Sequence, residues 1–223
     1  MVESPKGTIG KKLQAFLQGI FKGRSKMEKK SKVDVKAQPG DLEAYPHPGL
    51  LFPEILKEEG VELFFGIWGG HMWPWIDPMI KSGIKHVTVR HESTGGYAAE
   101  AYARVTGKIG VCCGTVGPGS TNIMSAVHQA YLSNTSMLVL LAGHEANDDG
   151  AYTLQECYAE KLYESFAKLA KRVIDARTYK YWFRKAIHTA LEPPRGPAVL
   201  EFELNALTGP HPVSYTHLTL PTN

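Results

Sequence analysis

The sequence predicts an α/β fold, a parallel sheet flanked by helices on both faces. Two observations carry that prediction. Between His47 and Leu204, short unbroken apolar runs alternate with segments of helical period, and most of those runs end in glycine-rich or polar turns. Strands covered on both faces read as continuous apolar runs, because neither side meets water. A third observation agrees: 22 Gly and 14 Pro in 223 residues is high for a helical bundle and low for a disordered or collagen-like chain.

The elements follow in order. Leu50, Leu51, Ile55 and Leu56 form one helical face, with Pro53 in the first turn and Gly60 as the stop. Residues 62–67 read as a buried strand ending at Gly69-Gly70, and 73–80 as a helix closing near Gly83. Residues 86–89 give a second strand and 93–105 an Ala-rich helix. A third strand covers 109–114, a helix 121–132 and a fourth strand 137–142. Helical stretches are expected at 157–170 and 179–191, and a last strand at 198–204. Trp73, Trp75 and Trp182 fall on helices and read as core. In such a sheet, sites gather at the carboxyl ends of the strands. Four turns therefore matter: 66–71, 90–92, 114–119 and 143–150.

Composition separates the ends from the body. Residues 1–40 hold 10 Lys/Arg against 3 Asp/Glu, and the remainder 15 against 19. The overall charge of +3 thus belongs to a basic extension, and the mildly acidic body argues against a nucleic-acid partner. Ile9, Leu13, Phe16, Leu17, Ile20 and Phe21 recur at helical spacing there, so residues 1–45 are expected to be an extension and linker, disordered or partly helical. The longest apolar run, 137–143, is too short for a membrane span. Cys112, Cys113 and Cys157 lack metal-ligand spacing and indicate a reducing, cytoplasmic setting. Residues 213–222 read Val-Ser-Tyr-Thr-His-Leu-Thr-Leu-Pro-Thr, which resembles a translated sequencing adaptor. On that reading residues 208–223 are a truncated tail, and 46–207 are the folded domain.

Two candidate groups emerge from the residues alone. Glu92, in Val-Arg-His-Glu-Ser, is a carboxylate opening a helix. Capping the free N–H groups there is its plain alternative role. Gly114-Thr-Val-Gly-Pro-Gly-Ser-Thr-Asn122 is a strand-to-helix turn where a ligand can approach the backbone. No Gly-Lys-Ser/Thr follows, so it is not a phosphate-binding Walker loop. Asp148-Asp149-Gly150 reads as a polar turn, and His144-Glu145 as a solvated loop.

Taken in order, the turns are more specific. Gly69-Gly70 with Pro74 and Asp77 is followed by Arg90-His91-Glu92, Tyr97-Ala98-Ala99 and Gly107-Lys108. Gly117-Pro118-Gly119 with Asn122 and Leu154-Gln155-Glu156 complete the set. This series resembles the pyrimidine-binding (PYR) domain of thiamine diphosphate enzymes, over residues 46–207, and most of all the acetolactate synthases.

The resemblance implies a division of roles. The glutamate matching Glu92 hydrogen-bonds the cofactor's aminopyrimidine and is the catalytic carboxylate. Trp68, Gly69, Gly117, Pro118 and Asn122 would line the cofactor pocket, while Gly70, His71 and Gln155 would lie near the substrate. No residue of this chain is expected to ligate metal. In the family, a C-terminal domain holds Mg²⁺ and the diphosphate, usually across a homodimer or homotetramer interface, and a middle domain carries FAD in many members. The implied activity is decarboxylation of a small-molecule 2-oxoacid followed by carboligation, acetolactate synthase-like. On that reading the 223-residue chain alone should be inactive. Alternatives are a 2-hydroxyacyl-CoA lyase, a benzoylformate decarboxylase-like enzyme, or a stand-alone PYR subunit needing a partner chain. Two departures bear on this. Trp68 stands where the family usually has Pro, and Gly114 occupies a strand end where benzoylformate decarboxylases place His.

Overall fold

The computed structural model describes residues 48–208. The expected basic extension and the C-terminal tail lie outside the described residues, apart from Thr208. Six strands form a single sheet in which every pairing is parallel. They are β1 (Leu63–Gly66), β2 (Lys85–Thr88), β3 (Gly110–Gly114), β4 (Met137–Gly143), β5 (Leu169–Val173) and β6 (Pro197–Glu203). Their order is β2-β1-β3-β4-β6-β5. The chain leaves β1 for β2 on one side and returns to place β3 on the other. That reversal opens a crevice between the carboxyl ends of β1 and β3.

The helices are α1 (Phe52–Glu58), α2 (Trp73–Lys81), α3 (Glu92–Thr106), α4 (Pro118–Thr121), α5 (Met124–Leu132), α6 (Ala159–Tyr163), α7 (Tyr179–Leu191) and α8 (Leu204–Thr208). Two apolar clusters show how they are distributed. One unites Phe52, Trp75, Met79, Phe183, Ile187 and Leu207 with Leu138, Leu140 and Ala142 of β4. The other unites Ala99, Ile123, Val127 and Tyr163 with Met137, Val139 and Leu141. Successive β4 residues thus bury on opposite faces, as the two-residue period of a strand requires. Helices α1, α2, α7 and α8 cover one face, and α3, α5 and α6 the other. Cys112 and Cys113 divide between the two clusters in the same way, and burial pushes the Cys112 thiol up to about 12.

Three expectations need correction. The helix expected at 157–170 is only the five-residue α6, and Leu169–Val173 is the edge strand β5. Lys171 and Arg172 interrupt its apolar pattern, because an edge strand has one neighbour and tolerates charge. The helix expected at 121–132 begins earlier, as α4, and is interrupted near Asn122. Trp73 is 38% exposed rather than core, whereas Trp75 is fully buried.

Candidate functional site at the carboxyl rim

Glu92 opens α3, behind His91, whose Nδ1 accepts the backbone N–H of Ser93. With the helix thus capped by its neighbour, the Glu92 carboxylate is left for another task. Its Oε2 accepts a hydrogen bond from Asn122 Nδ2 at 3.0 Å, and Oε1 has no hydrogen-bond partner among the described residues. Asn122 closes α4, the short turn that begins at Gly117-Pro118. The fold therefore joins the two candidates, thirty residues apart in sequence.

The walls of this crevice are made by glycines that leave no room for a side chain. A Cβ on Gly69 would lie 2.0 Å from Thr115 Oγ1, and one on Gly114 would lie 2.5 Å from the Gly119 carbonyl. The loop after β1 is thereby locked onto the turn after β3. Gly117 has φ +64°, and a Cβ there would lie 2.6 Å from the Gln155 carbonyl. So Gln155 rests directly on the Gly117 turn. Its side chain is exposed, flanked by Tyr152 at 95% and Leu154 at 81% exposure.

Trp68, Gly70 and His71 lie on the loop after β1 and the turn that leads into α2. The Trp68 indole donates to His86 Nδ1 at 2.6 Å, and the His86 ring stacks on Phe64 at 4.6 Å. His86 Nε2 pairs with the Gly66 carbonyl at 3.1 Å. Both bonds together need a neutral imidazole protonated at Nε2. Burial accordingly holds the His86 pKa below its ordinary value, partly opposed by the Gly66 contact. Gly70 faces open space, and His71 is half-buried in the 3-10 turn Gly70–Met72 that precedes α2.

The sequence reading overlooked a second group on the same rim. His144, expected in a solvated loop, is 3% exposed. Its Nε2 meets Asp149 Oδ1 at 2.7 Å, and Arg172 grips both Asp149 oxygens at 2.8 Å each. The Arg172 hydrogen bonds hold the Asp149 carboxyl below the ordinary carboxylate range. Glu201 and Glu203, on β6 between these groups, are buried, and desolvation raises both. Glu201 Oε2 accepts the Glu160 N–H at 3.1 Å, and Glu203 accepts that of Ala146. The one sequence signal for this group was Gly143-His144, a polar residue ending the longest apolar run.

A carboxylate with one unused oxygen, half-buried at a switch-point crevice and backed by glycine walls, fits a nitrogen-heterocycle cofactor that accepts or donates at a ring edge. Among the described residues no cluster of His, Cys, Asp or Glu could hold a metal ion. Nor is any described helix long and apolar enough to cross a membrane.

Comparison with known proteins agrees with the geometry. Residues 49–162 match the family described as thiamine pyrophosphate enzyme, N-terminal TPP binding domain. The 2-hydroxyacyl-CoA lyase 2 of Danio rerio is 33% identical over 167 residues, covering 75% of this chain and 27% of that protein. A probable acetolactate synthase large subunit of Methanococcus aeolicus is 32% identical over 165 residues, 72% of this chain and 28% of its own. The acetolactate synthase of Mycobacterium avium reaches 45% over 86 residues, 38% and 14% respectively. The chain spans about a quarter of the length of the first two relatives. With half of its residues matched, the chain belongs to the thiamine pyrophosphate enzymes and carries their N-terminal TPP binding domain.

Proposed function

We propose that the protein to which this chain belongs is a decarboxylating and carboligating enzyme acting on a 2-oxoacid, acetolactate synthase-like. Residues 46–207 supply the half-site for the cofactor's aminopyrimidine, and Glu92 is the catalytic carboxylate. The observation that supports this most is the Glu92–Asn122 hydrogen bond at the β1/β3 crevice. Asn122 orients the carboxylate through Oε2, which leaves Oε1 to hold a proton shared with a ring nitrogen. A carboxylate so placed can stabilise the protonated ring edge, a role Gln cannot fill for want of charge. Trp68, Gly69, Gly117 and Pro118 are assigned to the wall. The cofactor, when bound, supplies the electron sink for carbon–carbon bond cleavage. Gln155, with Gly70 and His71, is assigned to the substrate side. Mg²⁺ and any FAD fall to segments outside this chain, and the assembly is read as a homodimer or homotetramer.

A second reading, a 2-hydroxyacyl-CoA lyase, is favoured by two observations. Lyases of that name align over three quarters of this chain, and the bulky Trp68 changes the expected pocket wall. Two measurements on the full-length enzyme test the Glu92 role and separate the readings. In Glu92→Gln, C2 proton exchange of the bound cofactor should fall by about a hundredfold or more, and near-normal exchange would remove Glu92 from its role. Pyruvate with 2-oxobutyrate should turn over, whereas cleavage of a 2-hydroxyacyl-CoA instead would favour the lyase. Acetolactate formation by the purified 223-residue chain alone would contradict its reading as a half-site.

A further inference from the structure

Gln155 has φ +61° and Tyr152 φ +56°. Left-handed backbone at residues bearing side chains persists only where the surroundings hold it. Two carboxylates supply that hold. Glu156 accepts hydrogen bonds from Gly150 N at 2.7 Å, Thr153 N at 3.2 Å and the Tyr158 hydroxyl at 2.8 Å. Asp149 is held by the Arg172 fork and by His144. Tyr158 links the two, because its ring meets His144 edge-on at 5.2 Å and lies 5.6 Å from the Arg172 guanidinium.

The origin of Arg172 gives this arrangement its meaning. It projects from β5, whereas His144 and Asp149 follow β4, and β6 lies between those strands. The guanidinium therefore bridges over the end of β6 to reach the loop. Its side chain is 9% exposed, and a bidentate fork fixes direction as well as distance. Glu203, on the strand it crosses, holds the loop's start through Ala146. At the far end of the loop, Gln155 is pressed onto Gly117.

We infer that Arg172, Asp149 and His144 are positioning residues: an ionic clamp that fixes the 145–158 loop and so sets Gln155 against the Gly117 turn. The link from clamp to catalysis rests on the assignment of Gln155 to the substrate side. The clamp itself does not.

Amide hydrogen exchange on the 223-residue chain tests it, with peptides from 145–158 as the readout and those from β4 and β6 as the internal reference. Arg172→Leu should speed exchange in the loop about tenfold or more while the sheet peptides stay protected. Arg172→Lys keeps the charge and loses the fork, and should recover part of that protection. Arg172→Gln fills similar space without charge and should recover none. Asp149→Asn, outside the sheet and 40% exposed at its side chain, should reproduce the Leu result with no risk to the core. Unchanged loop exchange in Asp149→Asn, or equal recovery by Gln and Lys, would overturn the clamp. So would loss of sheet protection together with the loop. Gln155→Ala in the full-length enzyme reads the other assignment separately. If the KM for substrate does not move, Gln155 is not on the substrate side, while the exchange result still decides the clamp.

Discussion

The carboxyl rim of the sheet is built in two contrasting ways. At the β1/β3 crevice, structure comes from the absence of side chains: Gly69 admits the Thr115 side chain, and Gly114 and Gly117 admit the Gly119 and Gln155 carbonyls. At the β4–β6–β5 end it comes from charge, with buried His144, Glu201 and Glu203 beside the mostly buried Arg172 and the more exposed Asp149. The first region makes room beside a single carboxylate. The second spends desolvation to hold a loop still. Packed backbone resists displacement but offers no chemistry, whereas paired charges give direction and depend on pH.

The sharpest way to break the crevice is sterically. Gly69 has extended backbone, φ −139° and ψ 166°, which any residue can adopt, so only space forbids a side chain. Gly69→Ala should therefore destabilise the protein by about 1–3 kcal/mol, measured by urea unfolding. Gly150, on the charged side, has φ +78° and nothing within 4 Å of an added Cβ. Its Ala variant meets only the backbone penalty, of order 1 kcal/mol. Equal costs at the two sites would show that packing does not distinguish the regions.

A smaller effect should appear at Glu201. Burial raises its pKa, so the group favours folding when protonated. That contribution is full below the unfolded carboxylate range and is lost as pH rises through the folded value. Glu201→Gln keeps an oxygen for the Glu160 N–H and removes the buried charge. It should raise Tm modestly at pH 8, with the gain fading towards pH 4. A variant less stable at pH 8 would mean that attraction to Arg172 outweighs the desolvation.

The smallest effect is spectroscopic. The His86 pKa is lowered, so the neutral ring prevails at pH 7, and its contribution to stability is lost as pH falls below the ordinary histidine range. Acidification there should free the Trp68 indole and change its fluorescence, a transition that Trp68→Phe abolishes. A transition that survives in Trp68→Phe would belong to another tryptophan.

The sequence shows the crevice far better than the charged end, for physical reasons. β3, β4 and β6 are buried along their whole length and appear as unbroken apolar runs. β5 has one neighbour and carries Lys171 and Arg172, so its pattern reads as helical. Glu92 and Asn122 are legible through their places in a motif series, although their hydrogen bond depends on how α3 and α4 meet. His144, Asp149 and Arg172 share no motif. They meet only because β6 inserts between β4 and β5, a strand order that no local pattern encodes.

The parallel sheet has a practical corollary. Since every strand points the same way, Glu92, Asn122, Gln155 and the ionic clamp all lie at one rim, and the opposite rim is left with helix-to-strand turns. Two of these, at Gly60 and Gly83, have nothing within 4 Å of an added side chain. A tether, dye or affinity handle fixed there through a short inserted linker would present the working rim outward. The domain could then be immobilised in a single orientation for measuring cofactor capture by its half-site.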